Sequence, residues 1–190
     1  MFCVVAMYLA PLKNIVATAR LWDYMVSSLC ISTTKSRLSK QMAISIGWAG
    51  NWLVYVLLAG GIVWQTGKHS LLIISSAVLG TLVAHSIYPF IKRKVARLRP
   101  FEKHQEFIPL LRPLDKYSFP SGHVMTLTTV LLPIVMVFPA TSLGFSLLWL
   151  AMVWARLASA HHFLSDIVGG AILGAAISYP VSSFILLTQN

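Results

Sequence analysis

The chain has 190 residues, of which 57% are hydrophobic and only 11% are charged, and its formal net charge is +10. Soluble domains carry about 25% charged residues, so this composition excludes an ordinary soluble domain and predicts one membrane-embedded helix bundle. A basic excess on so apolar a chain favours anionic lipid headgroups or phosphates as partners, and it argues against nucleic acid because no basic soluble domain is predicted.

Residues 1–41 are predicted to form an N-terminal interfacial segment with a basic linker, separate from a membrane bundle over 42–190. The first ten residues are apolar but too short to cross a membrane. From residue 12 onward, Arg20 and Asp23 are interspersed with aromatic and apolar residues, a pattern typical of an amphipathic helix at the headgroup level. An extra span within residues 1–33 is the alternative.

Five apolar runs follow, and each is predicted to be a transmembrane helix, because lipid offers no partner to an unpaired backbone group. They cover about residues 42–65, 70–91, 122–138, 142–160 and 165–187. The predicted fold is therefore an all-α polytopic bundle of five membrane helices plus the N-terminal interfacial helix, which would be a sixth span under the alternative. Glycines and alanines in the last run would allow close contact with a neighbouring helix.

The connection over 92–119 is the one long polar segment, and its prolines prevent a long helix there. Alternating spans place the ends of the second and fourth runs on the same membrane face as the starts of the third and fifth. Polar residues at these four ends can therefore share one cleft. Three clusters occupy them: Lys92 with Arg99-Pro100; Pro120-Ser121-Gly122-His123; and Arg156 with His162 and Asp166.

The first chemistry that these clusters predict is phosphate binding. Lys92, Arg99 and Arg156 are cations, and the two arginines can bind phosphate oxygens bidentately. Ser121 and the backbone N–H of Gly122 add neutral donors at a helix start, where the helix dipole favours an anion. Together these groups would hold a phosphoryl group and stabilise the charge of its transition state.

The second chemistry is nucleophilic catalysis. Asp166 stands four residues after His162, so it can accept from one ring nitrogen and free the other, and an oriented neutral imidazole is a competent nucleophile. His123 could protonate the leaving oxygen. Two histidines need no metal, and the chain's five acidic residues form no cluster that would hold one, so no cofactor is predicted.

Other polar residues near these clusters are interpreted as structural. His161 lacks the spacing to Asp166 and is taken as incidental, and His85 as a satisfied polar residue inside a span. Arg93, Lys94 and Arg97 are interpreted as anchors to lipid headgroups.

The three clusters resemble the signature of the type-2 phosphatidic acid phosphatase superfamily, which also includes glucose-6-phosphatase, bacterial acid phosphatases and vanadium haloperoxidases. That signature is Lys-x6-Arg-Pro, then Pro-Ser-Gly-His, then Ser-Arg-x5-His-x3-Asp, and residues 92–166 match it in order and spacing. One position departs, because Ala155 stands where the family has serine. We take that serine's hydroxyl as a supporting hydrogen bond, so its loss leaves the chemistry intact.

The resemblance implies a metal-independent phosphatase. His162 would form a phosphohistidine, Asp166 would orient it, and His123 would act as acid and then as base. The phosphate would be bound by Lys92, Arg99, Ser121, Gly122 and Arg156.

A site at the bilayer surface suits a phosphate carried on a lipid, which would arrive laterally. Candidate substrates are undecaprenyl diphosphate, phosphatidylglycerophosphate, phosphatidic acid and a lipid A phosphate. The alternatives are a lipid-to-lipid phosphotransferase and a non-catalytic protein that binds lipid phosphates.

We expect a multi-pass protein of the bacterial inner membrane. The resemblance implies an active site on the periplasmic face, whereas the excess of lysine and arginine on the active face favours the cytoplasm. The sequence leaves the oligomeric state open.

Overall fold

The computed structural model describes residues 2–67 and 70–187, and within those ranges it is all-helical, as predicted. Short 3-10 turns follow the first helix at Thr33–Lys35 and precede the seventh at Pro139–Thr141. The helices are α1 (Phe2–Ser32), α2 (Arg37–Ala49), α3 (Leu53–Thr66), α4 (Ser70–Val95), α5 (Pro100–Lys103), α6 (Gly122–Val137), α7 (Ser142–Ala158) and α8 (Leu164–Leu187).

The described residues support three to four membrane spans by length and composition, rather than a clear five. Helices α4, α7 and α8 are each long and apolar enough to span a membrane. The α4 segment is counted together with α5, and the α7 segment with the turn that precedes it. A fourth is added if α2 and α3 form one bent span. Helix α6, at 16 residues, is apolar but shorter.

The first predicted span, 42–65, is wrong as a continuous helix. Helix α2 begins earlier, at Arg37, because the side chain of Ser36 caps it by accepting from the backbone N–H of Ser39 at 3.0 Å. The chain then breaks between α2 and α3, which are bent by 61°. At the break Gly50 packs against Met152, and a side chain at this position would have to displace the flexible end of Met152.

Helix α1 is one continuous helix of 31 residues, where the sequence predicts an apolar start and a separate interfacial helix. It contacts α7 and α8. A helix of this length extends about 46 Å at ~1.5 Å per residue. Its placement in or across the membrane stays a prediction.

Close packing of α6 on α8 sets the position of the site. A Cβ added at Gly170 would lie 2.5 Å from the carbonyl oxygen of Ser121, and one at Gly174 would lie 2.6 Å from that of Met125. The predicted role of small residues in α8 is thereby confirmed. The contact brings the two helix starts together, and the backbone N–H of Ser121 donates to the carbonyl of Asp166 at 2.9 Å.

The ends of α4 and α7 are marked by left-handed alanines. Ala96 has φ 47° and Ala160 has φ 57°, values uncommon for a residue with a side chain. Each turns the chain sharply just before a residue of the site network, Arg97 and His161 respectively.

Candidate active site

The C-terminal parts of α4 and α7, the starts of α3 and α6, and the loops that precede α6 and α8 surround a cavity of about 370 Å³. Residues of all three sequence clusters line it, as the predicted convergence requires, whereas Lys92, Ser121 and Asp166 are not among the lining residues. The wall comprises Gly50, Asn51, Tyr55, His85, Tyr88, Arg99, Leu114, Asp115, Gly122, His123, Thr126, Arg156 and His162.

Arg99 ties the first cluster to the third. Its side chain is 2% exposed, and its Nη1 donates to the carbonyl of His161 at 2.8 Å. Its Nη2 donates to the Asp115 carboxylate at 2.7 Å and to the Tyr117 carbonyl at 3.1 Å. These bonds fix the guanidinium at the cavity wall, where the sequence places a phosphate ligand.

Asp115 lies among the predicted phosphate ligands, and the sequence analysis did not assign it a role. Its Oδ1 accepts from Lys92 Nζ at 2.5 Å, and its Oδ2 accepts from the Tyr88 hydroxyl at 2.9 Å. Burial favours the neutral acid, but the hydrogen bond and charge of Lys92, with Tyr88 and Arg99, outweigh it and lower the pKa of Asp115. A phosphate entering the cavity must share Lys92 and Arg99 with this carboxylate.

Arg156 is held by His161, which corrects the interpretation of His161 as incidental. His161 Nε2 lies 2.8 Å from the Leu111 carbonyl, which only accepts, so this nitrogen carries the hydrogen. Nδ1 then accepts from Arg156 Nη2 at 2.6 Å. Burial and the Arg156 charge lower the pKa of His161 to about 4, so it is neutral near pH 7. Its position five residues after Arg156 is the one signal in the sequence.

His162 lies on the cavity wall as a neutral imidazole. Its Nδ1 donates to the carbonyl of Ser118 at 2.8 Å, which leaves the lone pair on Nε2. Burial, followed by the charges of Arg156, Arg99 and Lys92, holds the pKa of His162 well below its usual value. An uncharged nitrogen with a free lone pair is the form that a nucleophile requires.

Asp166 does not make the predicted hydrogen bond to His162, since its Oδ2 lies 3.7 Å from Nδ1. That oxygen accepts instead from the backbone N–H of Phe163 at 2.7 Å. The other oxygen, Oδ1, accepts from Arg97 Nη1 at 2.6 Å. The interpretation of Arg97 as an anchor to lipid headgroups is therefore wrong. The Asp166 carboxylate thus lies beside the His162 ring without a hydrogen bond to it.

His123 is the second residue of α6 and is held by a residue that the sequence analysis did not single out for the site. Its Nε2 donates to the side-chain oxygen of Asn51 at 2.9 Å. Asn51 lies in the break between α2 and α3, and its only sequence signal is a polar residue inside an apolar run. A leaving oxygen in the cavity would compete with Asn51 for this N–H.

Two buried donors at the site lack partners within the described part of the chain. Ser121, fully buried at the start of α6, has no partner for Oγ, and Arg156 has none for Nε. Buried polar groups are normally paired, so both donors have hydrogen-bonding capacity left, and Arg156 also lines the cavity. A Cβ at Gly122 would lie 2.8 Å from the Tyr88 hydroxyl, so a side chain there would displace Tyr88 from the cavity wall.

Ala155, which replaces the family serine, is fully buried.

His85 Nε2 lies 2.8 Å from the Thr126 hydroxyl, so the interpretation of His85 as a satisfied polar residue is confirmed.

The family model described as the PAP2 superfamily matches residues 70–188, more than half of the chain. The chain belongs to the PAP2 superfamily. It is also 32% identical, over 133 residues, to the decaprenylphosphoryl-5-phosphoribose phosphatases of two Mycobacterium tuberculosis strains, CDC 1551 / Oshkosh and H37Rv. The match covers 70% of this chain and 70% of each relative.

Two solved structures share the fold of this PAP2 protein. A transmembrane PAP2-type phosphatidylglycerolphosphate phosphatase from Bacillus subtilis has a TM-score of 0.61 at 23% identity, covering 97% of this chain and 96% of that one. Aquifex aeolicus LpxE has a TM-score of 0.66 at 18% identity, covering 84% of this chain and 93% of that one. This PAP2 protein is accordingly a phosphatase, a phosphoric monoester hydrolase, as the motif resemblance predicts.

Proposed function

We propose that this PAP2 phosphatase hydrolyses a phosphate ester of a membrane lipid through a phosphohistidine on His162. The observation that carries the proposal is the position of neutral His162, with its lone pair on Nε2, in a cavity also lined by Arg156, whose buried Nε has no partner among the described residues. The cations around the cavity supply the charge that a phosphoryl group needs.

In the first step His162 Nε2 attacks phosphorus, and the bond from phosphorus to the lipid oxygen breaks. Before a phosphate binds, burial lowers the pKa of His123 to about 3; the negative phosphate would favour its protonated form, which gives its proton to that oxygen. The imidazole becomes a positively charged phosphohistidine, and Asp166, 3.7 Å from Nδ1, stabilises this charge.

In the second step neutral His123 removes a proton from water, and the water oxygen attacks phosphorus. The bond from phosphorus to His162 Nε2 breaks, and inorganic phosphate and neutral His162 result. His123 is protonated again and ready for the next turnover. Throughout, Arg99, Arg156, Ser121 Oγ and the N–H of Gly122 would hold the equatorial oxygens.

A neighbouring apolar cavity supports a lipid substrate. It measures about 310 Å³, lies between α3, α4 and α6, and shares Tyr55 and Thr126 with the phosphate cavity. A lipid tail in this cavity would place its phosphate against the cations. Candidate substrates are phosphatidylglycerophosphate, phosphatidic acid, a lipid A phosphate and undecaprenyl diphosphate, and the named relatives favour a monoester.

We expect the purified protein, in detergent with excess chelator, to release inorganic phosphate from at least one lipid phosphate in a panel of monoesters and diphosphates. Arginine and lysine, rather than a metal ion, would stabilise the transition state. Colorimetric phosphate release is the measurement. Release only with an acceptor lipid present would identify a phosphotransferase, and no turnover of any lipid, or loss on chelation, would contradict the proposal.

We further propose an inner-membrane protein with its active face towards the periplasm. The face is rich in lysine and arginine, which favours the cytoplasm. Lys92, Arg97, Arg99 and Arg156, however, are all bound within the site. These four serve the chemistry, so they are weak determinants of topology.

Labelling decides the orientation. In a variant with Cys3 and Cys30 replaced by serine, Gln105→Cys places a thiol at an exposed loop position. We expect a membrane-impermeant maleimide that reaches the periplasm to label it in intact cells. The variant without this cysteine is the control, and labelling only after lysis would place the active face in the cytoplasm.

A further inference from the structure

Arg97 joins three segments of the chain beneath the active site. Its Nη1 donates to Asp166 Oδ1 at 2.6 Å and to the Ser165 hydroxyl at 2.6 Å, and its Nη2 donates to Asp23 Oδ2 at 2.6 Å. Its guanidinium carbon lies 4.3 Å from the centre of the Phe163 ring. Each terminal nitrogen of the guanidinium thus donates to a carboxylate.

Asp23 belongs to α1, which lies outside the 70–188 region matched by the family. It is 4% exposed. Its Oδ1 accepts from the backbone N–H of Ser165 at 2.8 Å, and its Oδ2 accepts from the Ser165 hydroxyl at 2.7 Å. Asp23 therefore caps the first turn of α8, the turn that carries Asp166, while holding the far side of Arg97.

These bonds determine where the charge of Asp166 lies. Because Asp166 makes no hydrogen bond to His162, the 3.7 Å separation is set by its other partners, Arg97 and the Phe163 N–H. Arg97 in turn is fixed by Asp23. Neither Arg97 nor Asp23 lines the cavity, so neither touches the substrate.

We propose that Arg97 and Asp23 are positioning residues for Asp166, and that helix α1 thereby forms part of the catalytic apparatus. This inference rests on the proposed function, in which Asp166 stabilises the phosphohistidine. It explains why the carboxylate of Asp23 on α1 is buried and why Arg97 binds within the protein.

Arg97→Gln is expected to lower kcat by roughly 10–100-fold, the loss typical when the group behind a reacting side chain is removed. KM should stay within about twofold, because the cavity wall is untouched. Arg97→Lys keeps one charged bond to Asp166 and should recover part of the loss. The matched control is Arg93→Gln, since exposed Arg93 donates to the Pro89 carbonyl and lies over the Phe90 ring, both within its own helix α4, and kcat should not change.

A double-mutant cycle separates positioning from scaffolding. With nitrophenyl phosphate as substrate, Arg97→Gln should lower kcat little further once Asp166→Asn is present. Asp23→Asn should lower kcat less than Arg97→Gln does, and its effect should likewise disappear in the Asp166→Asn background. Thermal unfolding of each variant in detergent reports loss of fold.

Three results would overturn the inference: equal losses with and without Asp166, equal kcat for the glutamine and lysine variants, or no loss beyond that of Arg93→Gln. With wild-type activity that depends on His162, each of them leaves the proposed function standing. A wild-type protein that releases no phosphate from any lipid would instead remove the proposed function itself.

Discussion

His162→Ala is expected to reduce phosphate release from a lipid phosphate to background, a loss of about 10⁴-fold or more, as when other enzymes lose their nucleophile. The adjacent His161 cannot substitute, because its Nε2 is bonded to the Leu111 carbonyl and its Nδ1 to Arg156. The imidazole of His162 is the attacking group of the proposed mechanism, so its removal leaves the phosphoryl group without its nucleophile. Phosphate release over a pH series is the first measurement.

Trapping the intermediate tests the same prediction directly. Wild-type protein quenched in alkali during turnover of a radiolabelled phosphate ester should carry acid-labile label, and His162→Ala should carry none. The matched variant is His161→Ala, which should raise KM by loosening Arg156 and still form the labelled intermediate. Label retained in His162→Ala would show that another residue is the nucleophile.

The sequence was sufficient to predict which span ends meet. Spacings such as Lys92 to Arg99 and Arg156 to His162 place each polar residue at the end of an apolar run, and alternation of spans then fixes the face. The structure places Arg99, Gly122, His123, Arg156 and His162 around one cavity, as that reasoning requires.

Contacts that depend on the path of a loop or on packing could not be predicted. The expected bond between Asp166 and His162 relied on helical spacing, but α8 begins only at Leu164, and the His162 ring turns to Ser118 instead. Asp115 reaches the cations through the folded loop before α6.

The two remaining surprises share this cause. The break lies beside Gly50, which packs against Met152 about a hundred residues away along the chain, and a contact of that range is not visible in the local sequence. Arg97 resembles Arg93 and Lys94 in sequence, and its bonds to Asp166 and to the buried Asp23 of α1 distinguish it.

The role of His123 can be isolated with leaving groups of different acidity. An alkoxide leaving a lipid phosphate needs a proton, and its donor typically contributes 10²–10⁴-fold to the rate. A nitrophenolate leaves without one, so formation of the phosphohistidine from nitrophenyl phosphate should survive the loss of His123. Hydrolysis of that intermediate still needs His123 as the base for water. The two half-reactions thus respond differently to one substitution.

His123→Ala is therefore expected to lower lipid phosphate hydrolysis by about 10²–10⁴-fold. With nitrophenyl phosphate it should give a near-stoichiometric burst of nitrophenol followed by a slow steady rate, measured by stopped-flow absorbance. His85→Ala removes another histidine of the same cavity wall, bonded only to Thr126, and should give no burst. Equal losses on both substrates without a burst would mean that His123 binds the phosphate rather than transferring protons, because weakened binding is indifferent to the acidity of the leaving group.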